Sequence, residues 1–272
     1  SHNHCHRTIM YGPLFATTWV PGFSTIFKCA PLGNQNARKN KQAEADAVAA
    51  ANSIPPGPPR PDKYLQPGAQ TIDGLYDIAL RSKPEFDSKI DNLSKGLNAN
   101  VSQNFEGAMA DFAAGKTGTT IIMGPVKGRK RVEEKAWDYA KENGGKPDFS
   151  QIGDILRCTV AVDHVEQFDD ALEGLRKQGF RLGREPKIRM TRPTSAGYHD
   201  VMVNVTLSTG HVVEVQINTK KMLLAKAEAH AHYEEQRTIE GRAVKESRSM
   251  TKDKITKQTT KIKVQKKKYA KI

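Results

Sequence analysis

Between Gly197 and Thr219 the chain carries two apolar, β-branched runs, Val201 to Leu207 and His211 to Thr219, separated by Ser208-Thr209-Gly210. Alternation with period two on both sides of a short Gly-containing turn predicts a β-hairpin with one buried face. In the second run Val213, Val215 and Ile217 share one face. Val212, Glu214, Gln216 and Asn218 share the other, so a carboxylate and two carboxamides stand in a row at every second residue. Such a row is either a solvated sheet face, the commoner fate of a polar stripe, or one wall of a site.

A second constellation lies upstream. Thr119 to Met123 reads as a short buried strand ending in Gly124-Pro125, and a helix carrying Val132, Ala136 and Tyr139 begins soon after. Lys127, Arg129, Lys130, Arg131 and Lys135 gather around that helix start. Ammonium groups, guanidinium forks and free first-turn amides are what a polyphosphate needs. The same cluster also fits a solvated basic surface. The GxxxxGK[ST] spacing of a P-loop is absent. Asp154 then stands at the mouth of the apolar strand Ile155 to Val162. A carboxylate there suits Mg²⁺ in phosphate chemistry and equally suits a turn or cap.

Around these segments the periodicity predicts helices and one more strand. Leu75, Ile78 and Ala79, then Phe86, Ile90, Leu93 and Leu97, follow helical spacing with an interruption expected at Pro84, and Phe105, Met109 and Phe112 continue it. Val165 to Gln178 is a helix with Val165, Phe168, Leu172 and Leu175 on one face; Phe180 to Met190 is a strand. Lys220 to Glu240 is a helix that turns Met222, Ala225, Ala229 and His232 or Tyr233 inward.

The N-terminal part is of another kind. Tyr11, Phe15, Trp19, Phe23 and Phe27 recur every four residues in an uncharged stretch, but Gly12, Pro13, Pro21 and Gly22 cut it into pieces shorter than a spanning helix. No membrane span is expected there. Ala30 to Pro67, rich in Asn, Lys and Ala and then in Pro, reads as a linker without core-forming content. His2, His4, Cys5 and His6 at the chain end do not make a functional metal site, and Cys5, Cys29 and Cys158 give no disulfide framework, which fits a reducing compartment.

Charge is concentrated at the other end. Of the net +13, residues 241–272 hold 12 basic and 2 acidic side chains, so the body is close to neutral. A tail of this kind binds RNA or another polyanion through counterion release, or is simply a solvated end. The resulting plan is a loop-rich segment and Pro-rich linker at 1–67, a helical lead-in at 68–116, a catalytic-looking unit at 117–240 and a basic tail at 241–272.

Lys127…Arg131…Lys135, Asp154-Ile155-Leu156-Arg157, Gly197-Tyr198-His199-Asp200 and Glu214-Val215-Gln216-Ile217-Asn218-Thr219, closed by a helix bearing His230, His232 and Tyr233, together resemble the RelA/SpoT synthetase domain. Four motifs in order form a specific signal over about residues 117 to 240. The resemblance implies an α+β fold with a mixed, nucleotidyltransferase-like sheet flanked by helices. It implies an ATP-dependent pyrophosphokinase that moves the β,γ-diphosphate of ATP to the 3′-hydroxyl of a purine nucleotide, making a (p)ppGpp- or (p)ppApp-type alarmone.

By carry-over, Lys127, Arg129, Arg131 and Lys135 grip the ATP polyphosphate, and Asp154 and Glu214 are the catalytic, Mg²⁺-binding carboxylates. Tyr198 stacks under the acceptor base, while Gln216, Asn218 and His199 bind the acceptor. The chain departs from housekeeping alarmone synthetases at Arg157, Thr159, Met202 and Asn218, all on the acceptor side. With no hydrolase or regulatory domain recognised, it resembles the toxin members, which implies action in the cytoplasm of the producer or of a target cell, and a cognate immunity protein. Alternatives are pyrophosphorylation of the tRNA 3′ end, to which the basic tail lends weight, a catalytically silent RNA-binding relative, and a nucleotidyl transfer releasing pyrophosphate.

Overall fold

The hairpin forms as its alternation predicts and lies at the centre of a mixed sheet. In the computed structural model, which describes residues 32–58, 66–140, 143–193 and 197–228, β6 (Val201–Thr206) pairs antiparallel with β7 (Val212–Thr219). β7 in turn runs parallel to β3 (Arg157–Val162), with Arg157 opposite Glu214 and Thr159 opposite Gln216. β2 (Thr120–Met123) is antiparallel to β3, and the three-residue β1 (Asn100–Ser102) is parallel to β2 at one edge. β4 (Arg181–Leu182) and β5 (Lys187–Ile188) both pair with β6 at the other edge, giving the order β1-β2-β3-β7-β6-β4. The α+β class and the mixed sheet flanked by helices are therefore as expected.

Helices cover the sheet because each has one apolar face. α2 (Ile72–Gly96) starts at Thr71, whose hydroxyl accepts from Gly74 N at 3.0 Å, and buries Leu75, Ala79, Phe86, Ile90 and Leu93. Pro84 does not interrupt it. Pro84 is exposed, so the one hydrogen bond that proline removes is lost on the solvent side while buried residues anchor the helix before and after it. After a 3₁₀ turn at Val165–Gln167, α5 (Phe168–Lys177) buries Phe168, Ala171, Leu172 and Leu175 against the same core as Val213, Val215 and Ile217. α3 (Phe105–Ala113) places Ala108, Met109 and Phe112 on the opposite face with Ile122, Ala161 and Leu223. α4 (Arg129–Asp138) tucks in Val132 and Ala136, and α6 occupies residues 220–228.

Three further expectations are corrected. The segment read as loop and linker holds α1 (Leu32–Ser53), which lies along α5 with Ala43, Ala47 and Ala51 buried and Ile54 behind them. Alanines every fourth residue make a ridge low enough for two backbones to approach, a pattern that composition conceals. Beyond it, Leu182 N donates to Pro55 O and Gly57 N to Leu182 O, each at 2.8 Å, so the proline run starts as an added edge on β4. A Cβ at Gly57 would stand 2.7 Å from Leu182 O, which explains why glycine interrupts the prolines there. Buried Gln66 then clamps the sheet, donating to Ile152 O and Val212 O and accepting from Val212 N.

In addition, the lead-in at 68–116 is not wholly helical, since exposed β1 lies within it. The strand expected over Phe180 to Met190 is two short pieces separated by Gly183 to Pro186. Residues 1–31 and the basic tail, with His230, His232 and Tyr233, lie outside the described residues.

Candidate active site

The face of β7 that carries Glu214, Gln216 and Asn218 is not a solvated stripe. Glu214 is 8% exposed and Asn218 1%. Parallel pairing sets Arg157 beside Glu214, and antiparallel pairing sets Asn204 on its other side. Gln216 Nε2 donates to Glu214 Oε1 at 2.9 Å, so the two polar neighbours on the strand hold each other.

Lys127 reaches this face because its loop is pinned. Gly124 N donates to Arg157 O at 2.9 Å, Lys127 N to Ile155 O at 3.0 Å, and the Tyr76 hydroxyl to Lys127 O. Gly124 is required by the crossing: a Cβ there would lie 2.6 Å from Arg157 Cγ. Lys127 Nζ then stands 2.7 Å from Asp154 Oδ2, and Lys135, from α4, stands 2.8 Å from the same oxygen. Asp154 Oδ1 is buried with no hydrogen-bond partner among the described residues.

Burial by itself would raise the Asp154 pKa, but Lys135 and Lys127 outweigh it and bring it down to about 2. Glu214 moves the other way, raised first by burial and then by the charge of Asp154. Two neighbouring carboxylates are thus shifted in opposite directions, Asp154 toward the charged form and Glu214 toward the neutral one. Burial also lowers the Lys127 pKa, with Asp154 opposing.

The two arginines of the basic cluster stand apart from this pair. Arg129 is half exposed, pairs with Asp73 and lies over the Tyr76 ring at 5.0 Å. Arg131 pairs with Glu134 at 2.7 Å. α4 begins at Gly128 with no side-chain cap, so a helix N-terminus with arginines beside it opens next to the Lys127–Asp154–Lys135 group.

At the other end of the row Asn218 Nδ2 donates to the Tyr198 hydroxyl. His199 is turned elsewhere, its Nδ1 2.6 Å from Met190 O, where it lines a cavity of about 330 Å³ with Asn218, Phe168 and Met222. The loop that carries both is fixed by Asp200, fully buried and held by Arg189 at 2.5 and 2.7 Å.

Sequence reasoning missed Lys226. Its Nζ lies 4.9 Å from the Tyr198 ring centroid, 3.3 Å from the Tyr198 hydroxyl and 3.4 Å from Gln216 Oε1. Lys226 lies one turn after Met222, and only the direction of α6 across the sheet shows that it reaches the site.

Mg²⁺ fits the carboxylate pair. It is usually held by one or two carboxylates and completed by substrate phosphates and water, and Asp154 Oδ1 is a buried oxygen without a donor among the described residues. No cluster of three or more His, Cys, Asp or Glu side chains able to hold a metal occurs among the described residues. Cys158 is buried and its thiol is pushed well above the ordinary value, so it takes no part. No helix among the described residues is long and apolar enough to cross a membrane.

Residues 126–238 match the model described as "Region found in RelA / SpoT proteins". The chain is 27% identical over 119 residues to the "(p)ppApp synthetase toxin Tas1" of Pseudomonas aeruginosa (strain UCBPP-PA14), a match covering 44% of this chain and 25% of Tas1. It therefore spans about a quarter of that curated relative. Among solved structures, the complex of the Type VI effector Tas1 with its immunity protein is 17% identical, covering 69% of this chain and 97% of that one at a TM-score of 0.37. A GTP pyrophosphokinase family protein from Streptococcus pneumoniae is 14% identical (71% and 91% covered, TM-score 0.38). The small alarmone synthetase 1 of Bacillus subtilis bound to its product pppGpp is also 14% identical (60% and 81%, TM-score 0.34). The motifs read from Lys127 to Thr219 fall inside the matched segment, and over residues 126–238 this chain is similar to the region found in RelA and SpoT proteins.

Proposed function

We propose that the chain is an ATP-dependent pyrophosphokinase that transfers the β,γ-diphosphate of ATP to the 3′-hydroxyl of a purine nucleotide. The observation that carries this reading is the pairing of one polyphosphate-type cradle with two unlike carboxylates. Lys127 and Lys135 converge on Asp154, and Glu214 with a raised pKa stands next to them. In phosphoryl-type transfer the protein mainly positions groups and neutralises charge, and these side chains suffice for both.

In the reaction the acceptor 3′-oxygen attacks the β-phosphorus, the bond between that phosphorus and the α,β-bridging oxygen breaks, and AMP leaves with the electron pair. Lys127 and Lys135 hold the diphosphate oxygens, trading contacts with Asp154 for contacts with substrate. Arg129 and Arg131 reach the outer phosphates by exchanging Asp73 and Glu134 for them. Glu214 takes the proton of the attacking hydroxyl. Its raised pKa makes it a better base than an exposed carboxylate, and the Gln216 amide fixes its orientation. Asp154 and Glu214 are the residues that would hold Mg²⁺, which when bound supplies charge neutralisation across the transferring phosphates. Tyr198 stacks under the acceptor base, with Gln216 and Asn218 around the acceptor; His199, turned to Met190 O, is left out of that group.

The likeness to a (p)ppApp synthetase toxin supports assignment as an effector acting in the cytoplasm of the producer or of a target cell, and the Tas1 complex supports a cognate immunity protein as partner. The concentration of basic residues in 241–272 favours one second reading, with the tRNA 3′ end as acceptor.

The test offers γ-labelled ATP and Mg²⁺ with GDP, GTP, ADP, ATP or bulk tRNA separately, and reads the product by thin-layer chromatography. Label on a free purine nucleotide is the expected result. Label on tRNA alone replaces it with the second reading, and label on no acceptor overturns both.

A further inference from the structure

From the bonds that Gln66 makes we infer that it is a positioning residue for the transfer reaction, setting the gap between Asp154 and Glu214 and with it the site that the two carboxylates offer a divalent cation. The inference rests on the reaction proposed above and deepens it with a residue from outside the matched segment 126–238.

Asp154 is not placed by regular secondary structure, because residues 151–156 lie outside every helix and strand. The carbonyls that lead up to it are instead met one after another by side chains from other parts of the chain. Arg184 donates to Gln151 O at 2.8 Å, Gln66 to Ile152 O at 2.8 Å, and Asn204 to Gly153 O at a longer 3.5 Å. Gln66 does more than meet one carbonyl. It also donates from Nε2 to Val212 O at 2.7 Å, and its Oε1 accepts from Val212 N at 2.9 Å.

The two segments so joined are the ones that carry the carboxylates. Ile152 lies two residues before Asp154, and Val212 two residues before Glu214. Two residues of chain span at most about 7 Å, so a displacement at Gln66 reaches each carboxylate with little chain to absorb it. On the far side, Glu214 N donates to Leu156 O at 3.1 Å, two residues past Asp154. The segments are therefore tied before the carboxylates by a side chain and after them by the backbone. A carboxamide supplies two protons and an acceptor from one planar group, and Gln66, 2% exposed, uses both kinds of atom here. All three bonds go to backbone atoms, so Gln66 acts on the carboxylates through the chain that carries them. Mg²⁺ demands nearly ideal octahedral geometry at short ligand distances, and the spacing of its two carboxylates decides how well they hold it.

The experiment uses the full chain and two variants. Gln66→Met keeps the volume and removes both donors and the acceptor, and Gln66→Asn is milder, keeping the amide on a shorter stem. Phe86→Leu, a change in the buried core of α2, controls for stability lost elsewhere. Binding of a non-hydrolysable ATP analogue is measured calorimetrically with and without Mn²⁺, at a temperature where circular dichroism shows each protein folded, and kcat is measured beside it. Removing a group that orients metal ligands from outside costs about tenfold to a hundredfold in metal affinity or activity. In the wild type Mn²⁺ should tighten the analogue. Gln66→Met should lose about tenfold or more of that tightening and of kcat, while its metal-free affinity stays at the wild-type value. Gln66→Asn should move the same two quantities in the same direction by less, and decides alone if Gln66→Met does not fold. Phe86→Leu should change neither. Tightening by Mn²⁺ that survives in the folded Gln66 variants overturns the inference. So does equal weakening with and without the metal, an equal loss in Phe86→Leu, or a wild type that Mn²⁺ does not tighten. If the tightening is lost as expected but the wild type transfers no diphosphate, the reaction fails and the positioning stands. If the wild type transfers and the Gln66 variants match it, the positioning fails and the reaction stands.

Discussion

Lys127 and Asp154, 27 residues apart in sequence, meet at 2.7 Å, and the oxygen they share is also 2.8 Å from Lys135. One carboxylate thus orders two ammonium groups from two elements. It does so at the buried base of a helix N-terminus, where arginines stand further out.

This pairing has a pH signature. The Asp154 carboxyl is held at about 2 against an ordinary 3.8, so its contribution, roughly 2 kcal/mol by linkage, is fully present above pH 4 and is lost as pH falls toward 2. Urea unfolding of the wild type and Asp154→Asn from pH 5 to pH 2 should show the stability gap between them narrowing by about that amount. A constant gap contradicts the pairing.

Glu214 predicts the opposite sign. Its pKa lies above the ordinary 4.5 because of burial and of Asp154, so folding disfavours the charged form, and its contribution worsens as pH rises through the raised value. Although Glu214 is buried and not on an exposed face, Glu214→Gln should therefore leave the protein as stable as the wild type at pH 7, or more so. Transfer should fall by two or more orders of magnitude, roughly the contribution of a general base. Thermal melts and turnover on the same samples check both.

On the acceptor side, Tyr198→Ala removes a ring that contributes about 1–3 kcal/mol per stacked base. The acceptor KM should rise by about tenfold or more while the ATP KM stays unchanged, and Tyr198→Phe should keep the stacking and lose only the hydroxyl contacts with Asn218 and Lys226.

Arg189 and Asp200 give a structural counterpart. Asp200 is fully buried and doubly held by Arg189, so Arg189→Ala leaves an uncompensated buried charge, at a cost of about 3–5 kcal/mol. Denaturant titration should show that loss, and Asp200→Asn in the same background should recover part of it.

Legibility in the sequence followed periodicity. The β6–β7 hairpin, the buried β2 and β3 and the face of α5 were legible because their apolar residues repeat with the period of their own element. α1 was not: Ala43, Ala47 and Ala51 bury through smallness, and an alanine stripe in an Asn- and Lys-rich segment looks like a linker. Val101 is exposed, so β1 joins the sheet by its backbone alone. Within the site, the strand and loop residues were readable from local motifs, but Lys226 required the crossing of α6 over the sheet. Arg129 and Arg131 were readable as a basic cluster, and their engagement with Asp73 and Glu134 was not.

The central claim is that two phosphates move together to a 3′-oxygen. Its most direct measurement is mass spectrometry of both products from β,γ-doubly labelled ATP, with the purine nucleotide that accepts label in the screen. The account predicts AMP and an acceptor carrying both labelled phosphates in equal amounts, with the diphosphate on the 3′-oxygen. Release of ADP with a singly phosphorylated acceptor, or of free pyrophosphate with AMP attached to the acceptor, would contradict it.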